Sequence, residues 1–154
     1  MATEHRPTTG SLVWRLAMRW RNRVDRAVAP LGLTHAQYSA LGSLWAMTRK
    51  GQAPSQRDLA EFTGLGPIYV SKLVRSMETA GLLTRESDPN DSRVVRLAVS
   101  DHGAATIRKA MTVVRALDRQ LTASLGGPEG AETRALKATL QTLLEEARQT
   151  GDTP

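Results

Sequence analysis

Apolar residues along most of the chain recur every three to four positions, which is the spacing of amphipathic helices. This pattern predicts a first long helix over about residues 11–28, which ends where Pro30 and Gly32 interrupt the repeat. A second helix is predicted from Thr34 onward, because Thr34 and Gln37 have the spacing of a capping box. The amino-terminal third of the chain is therefore expected to be helical.

Two shorter helices follow, with a glycine-containing turn between them. Ser55 is the candidate N-cap of the first helix, with Asp58 three positions later, and Pro67 suits the first position of the second. Gly81 is expected to end this second helix as a left-handed C′ residue. The apolar stripe of the second helix has i, i+3, i+4, i+7 spacing and consists of Val70, Leu73, Val74 and Met77.

The period of the pattern changes from helical to alternating after these two helices. Residues 82–86 and 95–99 are predicted strands, and the turn-rich residues 87–93 join them in a hairpin. The fold class is therefore predicted to be mainly α with a small β-hairpin wing.

Two long helices are predicted in the remaining third of the chain. Ser100 is expected to cap the first, which the Gly-Gly-Pro sequence at residues 126–128 is expected to stop. The last helix is predicted over about residues 129–148. Its side chains expected to face inward are Leu136, Leu140, Leu143 and Ala147.

The two short helices and their turn meet the demands of a helix-turn-helix motif, in which the helices cross closely. Ala60 supplies the small residue at the crossing, and Gly64 tolerates the positive φ of the turn. Groups suited to guanine edges, thymine methyls and phosphates in a DNA major groove lie opposite the apolar stripe. A solvated helix face is the alternative explanation for them. They belong to Ile68, Tyr69, Ser71, Lys72 and Arg75.

The hairpin follows the second short helix directly and carries an arginine at its tip. In an extended chain Asp91 and Arg93 point to the same side, so the Asp91 carboxylate is expected to hold the guanidinium of Arg93. An arginine placed there suits the negative potential of a narrow minor groove. A surface ion pair worth about 0–1 kcal/mol is the alternative. Arg85 and Arg96, on the strands, are predicted to be phosphate contacts or solvated cations.

Composition favours a polyanionic partner and argues against other classes of protein. The chain has 21 Lys and Arg against 15 Asp and Glu, and neutralising phosphates releases condensed counterions. It has no cysteine and its three histidines lack i, i+4 pairing, so no metal and no cofactor are expected. Motifs for phosphate-binding loops or nucleophile elbows are missing, which argues against an enzyme. No membrane span or signal peptide is indicated, and a cytoplasmic location is predicted.

The order of elements and several motifs resemble the MarR family of bacterial transcription regulators over nearly the whole chain. The resemblance implies one domain over residues 1–154, with dimerisation helices at 11–33 and 101–148 and a winged helix-turn-helix region at 34–100. The motifs that carry it are Leu59-Ala60-Glu61, Val70-Ser71-Lys72-Leu73-Val74, Gly81-Leu82-Leu83-Thr84-Arg85 and Asp88-Pro89-Asn90-Asp91-Ser92-Arg93.

The resemblance further implies that a homodimer binds a pseudo-palindromic site on double-stranded DNA. Arg93 would enter the minor groove with Asp91 orienting it, and residues 67–80 would be the recognition helix. Ser55 and Gln56 fall where phosphate contacts are expected in this family. One departure is the Pro-Ile-Tyr sequence that opens the recognition helix, where many members have small hydroxyl residues. The operator sequence therefore cannot be transferred from relatives.

The predicted function is a transcription regulator, most often a repressor in this family. Its terminal helices carry more apolar surface than a winged core can cover, which independently favours a homodimer. A winged-helix module that binds protein instead of DNA is the alternative. The resemblance also implies a pocket for a small-molecule effector, although its aromatic and methionine candidates could be plain core. The effector-pocket candidates are Arg19, Trp20, Arg23, Tyr38, Trp45 and Met111.

Overall fold

A computed structural model of the chain describes residues 6–49, 51 and 53–151. The other positions of the predicted domain lie outside the described residues. The structure confirms the predicted fold class, mainly α with a small hairpin. Within the described part of the chain, no helix combines the length and the apolar character that crossing a membrane requires. The elements in chain order are α1 (Thr9–Val28), α2 (His35–Thr48), α3 (Gln56–Thr63), α4 (Pro67–Thr79), β1 (Leu83–Ser87), β2 (Val95–Val99), α5 (Asp101–Leu121) and α6 (Ala131–Gly151), with short 3₁₀ turns at Ala29–Leu31 and Ala123–Leu125.

The chain divides into two compact units, and the first, residues 1–114, has its core around α2. This helix contacts α1, α3, α4 and β2, and its Leu41 and Leu44 are fully buried. The amino-terminal part of α5 joins the same core, because Ile107 is fully buried and a Cβ atom at Gly42 would lie 3.6 Å from its Cδ1 atom. Each large aliphatic side chain buried in this way contributes roughly 1.5–3 kcal/mol. The core therefore holds α3 and α4 in fixed positions.

The short helices α3 and α4 begin and end at the capping and turn residues that the sequence predicts. The Ser55 hydroxyl accepts a 3.1 Å hydrogen bond from the Asp58 N–H, and the Asp58 carboxylate accepts one of 2.7 Å from the Ser55 N–H. This reciprocal capping box begins α3. Gly64 ends α3 at φ +69°, and Ala60 is buried at the crossing with α4. Gly81 ends α4 at φ +71°, as expected for a C′ glycine.

Helix α1 begins two residues earlier than predicted and is buried along only half of its apolar stripe. Thr8 is its N-cap, and the Thr8 hydroxyl accepts a backbone hydrogen bond of 3.2 Å. Val24 is fully buried, whereas Val13 and Leu16 near the amino end are 44% and 47% exposed. The carboxyl half of α1 therefore belongs to the core, and its amino half presents apolar surface.

The hairpin of β1 and β2 is antiparallel over five residue pairs, and a third, very short segment pairs with β2 and forms an edge of the sheet. The Leu97 N–H of β2 donates to the Pro54 carbonyl at 2.9 Å, and Ser55 pairs with Arg96 in an isolated bridge. This edge joins the wing to the segment that leads into α3. The sequence did not predict it, because a bridge this short leaves no alternating pattern.

The start of α5 is anchored to the end of α4 by a serine and a glycine. The Ser100 hydroxyl donates to the Gly81 carbonyl at 2.5 Å and accepts from the Gly103 N–H at 2.9 Å. The cap predicted at Ser100 is therefore confirmed. A Cβ atom at Gly103 would lie only 1.9 Å from the Leu82 carbonyl oxygen. Position 103 consequently accepts no side chain without movement of the backbone.

The second unit, residues 115–154, contains the end of α5, a 3₁₀ turn and α6. Helix α5 ends at Leu121, before the predicted Gly-Gly-Pro stop, and the 3₁₀ turn occupies the intervening residues. Thr133 is buried and donates to the Leu125 carbonyl at 3.2 Å. The prediction that the α6 stripe faces inward is wrong for the single chain, because Leu136 and Leu143 are about 40% exposed. Within its unit, α6 packs on the short turn at Ala123–Leu125, which cannot cover a whole helix face.

Candidate nucleic-acid interface

Helix α4 has one buried face and one exposed face, as its sequence predicts. The predicted stripe of Val70, Leu73, Val74 and Met77 is buried against the rest of the first unit. The opposite face is exposed except for Ser71, which is half-buried, and Ile68 is its most exposed apolar residue at 77%. The exposed positions from the sequence-predicted set are Pro67, Ile68, Tyr69, Lys72 and Arg75.

Two kinds of basic residue lie in this region. Among the described residues, the side chains of Lys72, Arg75 and Arg93 have no acidic partner within salt-bridge distance, and all three are exposed. Arg85, in contrast, pairs with Glu78 of α4 through a 2.7 Å contact between its Nε and the carboxylate. The Arg85 guanidinium therefore contributes to the packing of β1 on α4 and is not a plain solvated cation.

The tip of the wing differs from the predicted geometry. Residues 91–94 form a turn, closed by a 2.9 Å hydrogen bond from the Val94 N–H to the Asp91 carbonyl, so the chain there is not extended. The Asp91 carboxylate accepts from the backbone N–H of Arg93 at 3.0 Å. The prediction of an ion pair between the Asp91 and Arg93 side chains is wrong, because the turn directs the Asp91 carboxylate to the backbone. Asp91 positions the Arg93 backbone and leaves its guanidinium exposed.

Arg96 connects the wing to the segment before α3. Its Nε donates to the Asp88 carboxylate at 2.7 Å, and its Nη1 donates to the Ala53 carbonyl at 2.9 Å and lies 4.0 Å from Asp58. The guanidinium hydrogen bond, followed by that of the Asn90 N–H, holds the pKa of Asp88 below its usual value. Arg96 is therefore not a plain solvated cation, because its Nε and Nη1 donate inside the protein. The predicted phosphate contact of Arg96 stays a prediction. We call Arg96, Asp88 and the Ala53 carbonyl the wing clamp.

Ser55 and Gln56, the predicted phosphate contacts, have different surroundings. Ser55 is buried, and its hydroxyl donates to Asp58 at 2.8 Å in addition to capping α3. The backbone N–H of Ser55, followed by its hydroxyl, holds the pKa of Asp58 below its usual value. Gln56 is half-buried at the first position of α3. Gln56 is therefore the better candidate for a phosphate contact, and Ser55 fixes the end of the helix.

A groove of about 720 Å³ brings the start of α3, the start of α4 and the wing tip together. Five sequence-predicted residues from separate stretches line it, whereas Arg85 does not. A second hollow of about 370 Å³ continues along the first turn of α4, where its walls include Ile68, Tyr69 and Lys72. The predicted residues of the larger groove are Ser55, Gln56, Pro67, Asp91 and Arg93.

The six candidates for an effector pocket are not brought together in any described cavity of the first unit. Trp45 is half-buried, and the guanidinium carbons of Arg49 and Arg108 lie 5.9 and 5.7 Å from its ring centre. A separate cavity of about 570 Å³ contains none of the six and was missed by sequence reasoning. Burial lowers the pKa of its His35, which favours the neutral imidazole. The cavity is lined by Arg21, His35, Ala36, Ser39, Thr63, Leu65, Gly66 and Tyr69.

A helix-turn-helix followed directly by a hairpin, with exposed cations on both, defines the class of winged helix-turn-helix regulators. Residues 31–94 match the family model described as MarR family. The chain is 32% identical over 110 residues to the uncharacterized HTH-type transcriptional regulator YdcH of Bacillus subtilis, covering 71% of this chain and 75% of that protein. The chain belongs to the MarR family of HTH-type transcriptional regulators, whose members are not enzymes.

Two further proteins illustrate what this chain is similar to. The HTH-type transcriptional repressor Rv2887 of Mycobacterium tuberculosis is 29% identical over 129 residues, covering 82% of this chain and 88% of that protein. The crystal structure of the M. tuberculosis transcriptional regulator MosR in complex with DNA is 25% identical with a TM-score of 0.72, covering 92% of this chain and 99% of that one. The fold described above is therefore that of solved DNA-binding regulators.

Proposed function

We propose that this protein binds a specific duplex DNA site, with the exposed face of α4 in the major groove and the wing tip in the adjacent minor groove. One observation carries the proposal: Lys72, Arg75 and Arg93 lie exposed and without acidic partners in the described chain, while neighbouring arginines are paired. Unpaired cations can neutralise phosphates or donate to guanine edges without first breaking an internal ion pair. The likeness to MosR, whose structure was solved in complex with DNA, supports this assignment.

The binding unit in this proposal is a homodimer. In the first unit of the chain α1 exposes Leu12, Val13, Trp14 and Leu16, and in the second unit α6 exposes leucines along its length. Apolar surface of this extent is rare on a monomer and is covered by a symmetric partner in most oligomers. Two copies related by a twofold axis would place their recognition helices about 34–36 Å apart, on a pseudo-palindromic site.

The regulator acts as a repressor that a small-molecule effector releases. The name of Rv2887, a transcriptional repressor, supports the direction of regulation. The 570 Å³ cavity supports the effector, because Tyr69 of α4 forms part of its wall beside Arg21 and His35. A ligand that fits better when α4 is displaced would shift the protein towards a form with lower DNA affinity. The predicted set that includes Trp20, Trp45 and Met111 stays a prediction for the same role.

Selection of bound duplexes from a random-sequence library tests the proposal. We expect an enriched pseudo-palindrome, bound by a species of twice the chain mass in analytical ultracentrifugation. The triple variant Lys72→Ala, Arg75→Ala, Arg93→Ala should lose this binding, whereas Arg134→Ala, which removes an exposed charge on α6, should retain it. Equal binding by both variants, or no enrichment at low salt, would contradict the DNA interface. Binding of a protein partner together with no binding of any duplex would favour the alternative, a winged-helix module that binds protein.

A further inference from the structure

Ile68 is exposed to a degree that the protein's own packing does not explain. Its side chain is 77% exposed, the highest value among the large apolar residues of the described chain. It is the second residue of α4, directly after the Pro67 that begins the helix. Residues in the first turn of a recognition helix are those that contact base edges. An exposed branched aliphatic side chain at this position is therefore available to an apolar partner outside the protein.

The surroundings of Ile68 form a shallow apolar hollow with one charged edge. The hollow of about 370 Å³ is lined by Gly66, Pro67, Ile68, Tyr69 and Lys72. The space beside Gly66 is open, since a Cβ atom there would meet nothing within 4 Å. Lys72 lies one helical turn beyond Ile68 on the same face, exposed and without an acidic partner among the described residues. The hollow thus combines apolar walls with a cation suited to a nucleic acid.

The structure separates Ile68 from its neighbour Tyr69, although both residues are exposed and apolar enough to contact a base. Tyr69 is 48% exposed, and besides the hollow it lines the 570 Å³ cavity next to His35 and Ser39. Its ring is therefore shared between two surfaces. Of the three cavities described above, Ile68 lines only the hollow, and it is more exposed than Tyr69.

We propose that Ile68 contacts the C5-methyl group of one pyrimidine in each half-site, and that this methyl group determines specificity there. The inference rests on the proposed function, in which α4 enters the major groove. The C5-methyl is the apolar group that a base pair presents in that groove, and it distinguishes thymine from unmethylated cytosine. Two bases supply the same group at the same place, thymine and 5-methylcytosine. The charged edge at Lys72 matches the phosphates or guanine acceptors beside such a methyl group.

Removal of single methyl groups from the selected duplex tests the inference. Each thymine is replaced by deoxyuridine, which keeps the base pairing and deletes only the C5-methyl. We expect one position per half-site at which the dissociation constant rises about 4-fold, the effect of burying one methyl group. Cytosine opposite guanine at that position should bind weakly, and 5-methylcytosine should recover part of the loss through its methyl group.

The variant Ile68→Ala is measured on the same thymine and deoxyuridine duplexes. It should bind the thymine and deoxyuridine duplexes equally at that position, whereas Tyr69→Phe should keep the 4-fold ratio. Because Ile68 is exposed, its truncation should leave the urea midpoint of unfolding unchanged. Insensitivity of the wild-type protein to every deoxyuridine, or an unchanged ratio in Ile68→Ala, would overturn the inference while leaving duplex binding intact. Failure of the wild-type protein to bind any duplex would instead overturn the proposed function and the inference with it.

Discussion

Arg93 and Arg96 lie three residues apart in one hairpin, and their surroundings are opposite. Arg96 donates inside the wing clamp from its Nε to the Asp88 carboxylate and from its Nη1 to the Ala53 carbonyl. Arg93 is held only through its backbone N–H, which donates to Asp91, and its guanidinium is exposed. The same contrast recurs beside α4, where Arg85 pairs with Glu78 and Arg75 has no acidic partner in the described chain.

This contrast separates the arginines that shape the surface from those available to a ligand. A guanidinium that already donates to protein acceptors must lose those hydrogen bonds before it can bind phosphate. A solvated guanidinium exchanges water and counterions instead, which is the source of salt-dependent affinity for DNA. Net charge alone does not make this distinction, because both kinds of arginine count equally in the total.

The largest expected effect is that of Arg93→Ala on DNA binding. Loss of the guanidinium from both wings of a dimer should raise the dissociation constant about 100-fold, on the basis of about 1–3 kcal/mol per contact. The loss should be similar for many sequences, because a minor-groove arginine responds chiefly to groove width. Fluorescence anisotropy with the selected duplex measures this, and the urea midpoint of unfolding should not change. A variant that binds like the parent would remove the wing from the interface.

A smaller and more sequence-dependent effect is expected for Arg75→Ala. We expect a cost of about 1 kcal/mol per half-site, the lower end of what an arginine that donates to guanine contributes to discrimination. Repeating the selection with the variant should show relaxed preference at one position per half-site. A uniform loss over all sequences would instead assign Arg75 to a phosphate.

Disruption of the wing clamp should weaken DNA binding indirectly. Arg96→Ala removes the hydrogen bonds to Asp88 and Ala53, and we expect about 1 kcal/mol lower stability from the lost bond to the Ala53 carbonyl. DNA affinity should fall several-fold because the Arg93 backbone is less well positioned. Arg96→Lys should restore part of both. Faster amide hydrogen exchange at Leu97, whose N–H donates to Pro54, reports on the clamp itself. Unchanged exchange in Arg96→Ala would contradict its role.

The smallest expected effects concern the cap of α3 and depend on pH. Ser55→Ala should cost about 1 kcal/mol near pH 7, the usual loss for an N-cap. Because Ser55 lowers the pKa of Asp58 below its ordinary value of 3.8, Asp58 stabilises the fold above that pH. This contribution is lost as the pH falls through the lower, folded-state pKa. In Ser55→Ala the pKa of Asp58 should rise, as an NMR titration of its carboxyl carbon would show.

Arg57→Ala is the matched control for these variants. Arg57 also lines the 720 Å³ groove, and it is paired with Glu61 at 2.8 Å on an exposed helix face. An exposed i, i+4 pair contributes little, so the urea midpoint should not change measurably. Its DNA affinity should fall much less than that of Arg93→Ala. Equal losses for the two variants would show that internal pairing does not decide which arginines matter.

Features that depend on neighbouring residues in the sequence could be predicted, and those that depend on distant ones could not. The caps at Thr34, Ser55 and Ser100 and the turn at Gly64 follow from residue types within a few positions. The wing clamp joins Arg96 to a carbonyl 43 residues earlier, which no local pattern records.

Two of the sequence-based predictions are wrong for other physical reasons. The geometry expected for Asp91 and Arg93 assumed an extended chain, whereas Asp88 folds this segment into turns by accepting from the N–H groups of Asn90 and Asp91. The inward stripe of α6 assumed that a single chain supplies its own cover. A periodic apolar pattern shows that a surface is suited to burial, but it does not say by which molecule.

The glycine at position 103 also has a mechanical consequence. The Leu82 carbonyl lies where a side chain at Gly103 would stand, and the Ser100 hydroxyl donates to the Gly81 carbonyl, so the first turn of α5 packs directly on the residues that follow α4. A tilt at the amino end of α5 would therefore displace the carboxyl end of α4 as well. Enlarging this residue should uncouple the two movements.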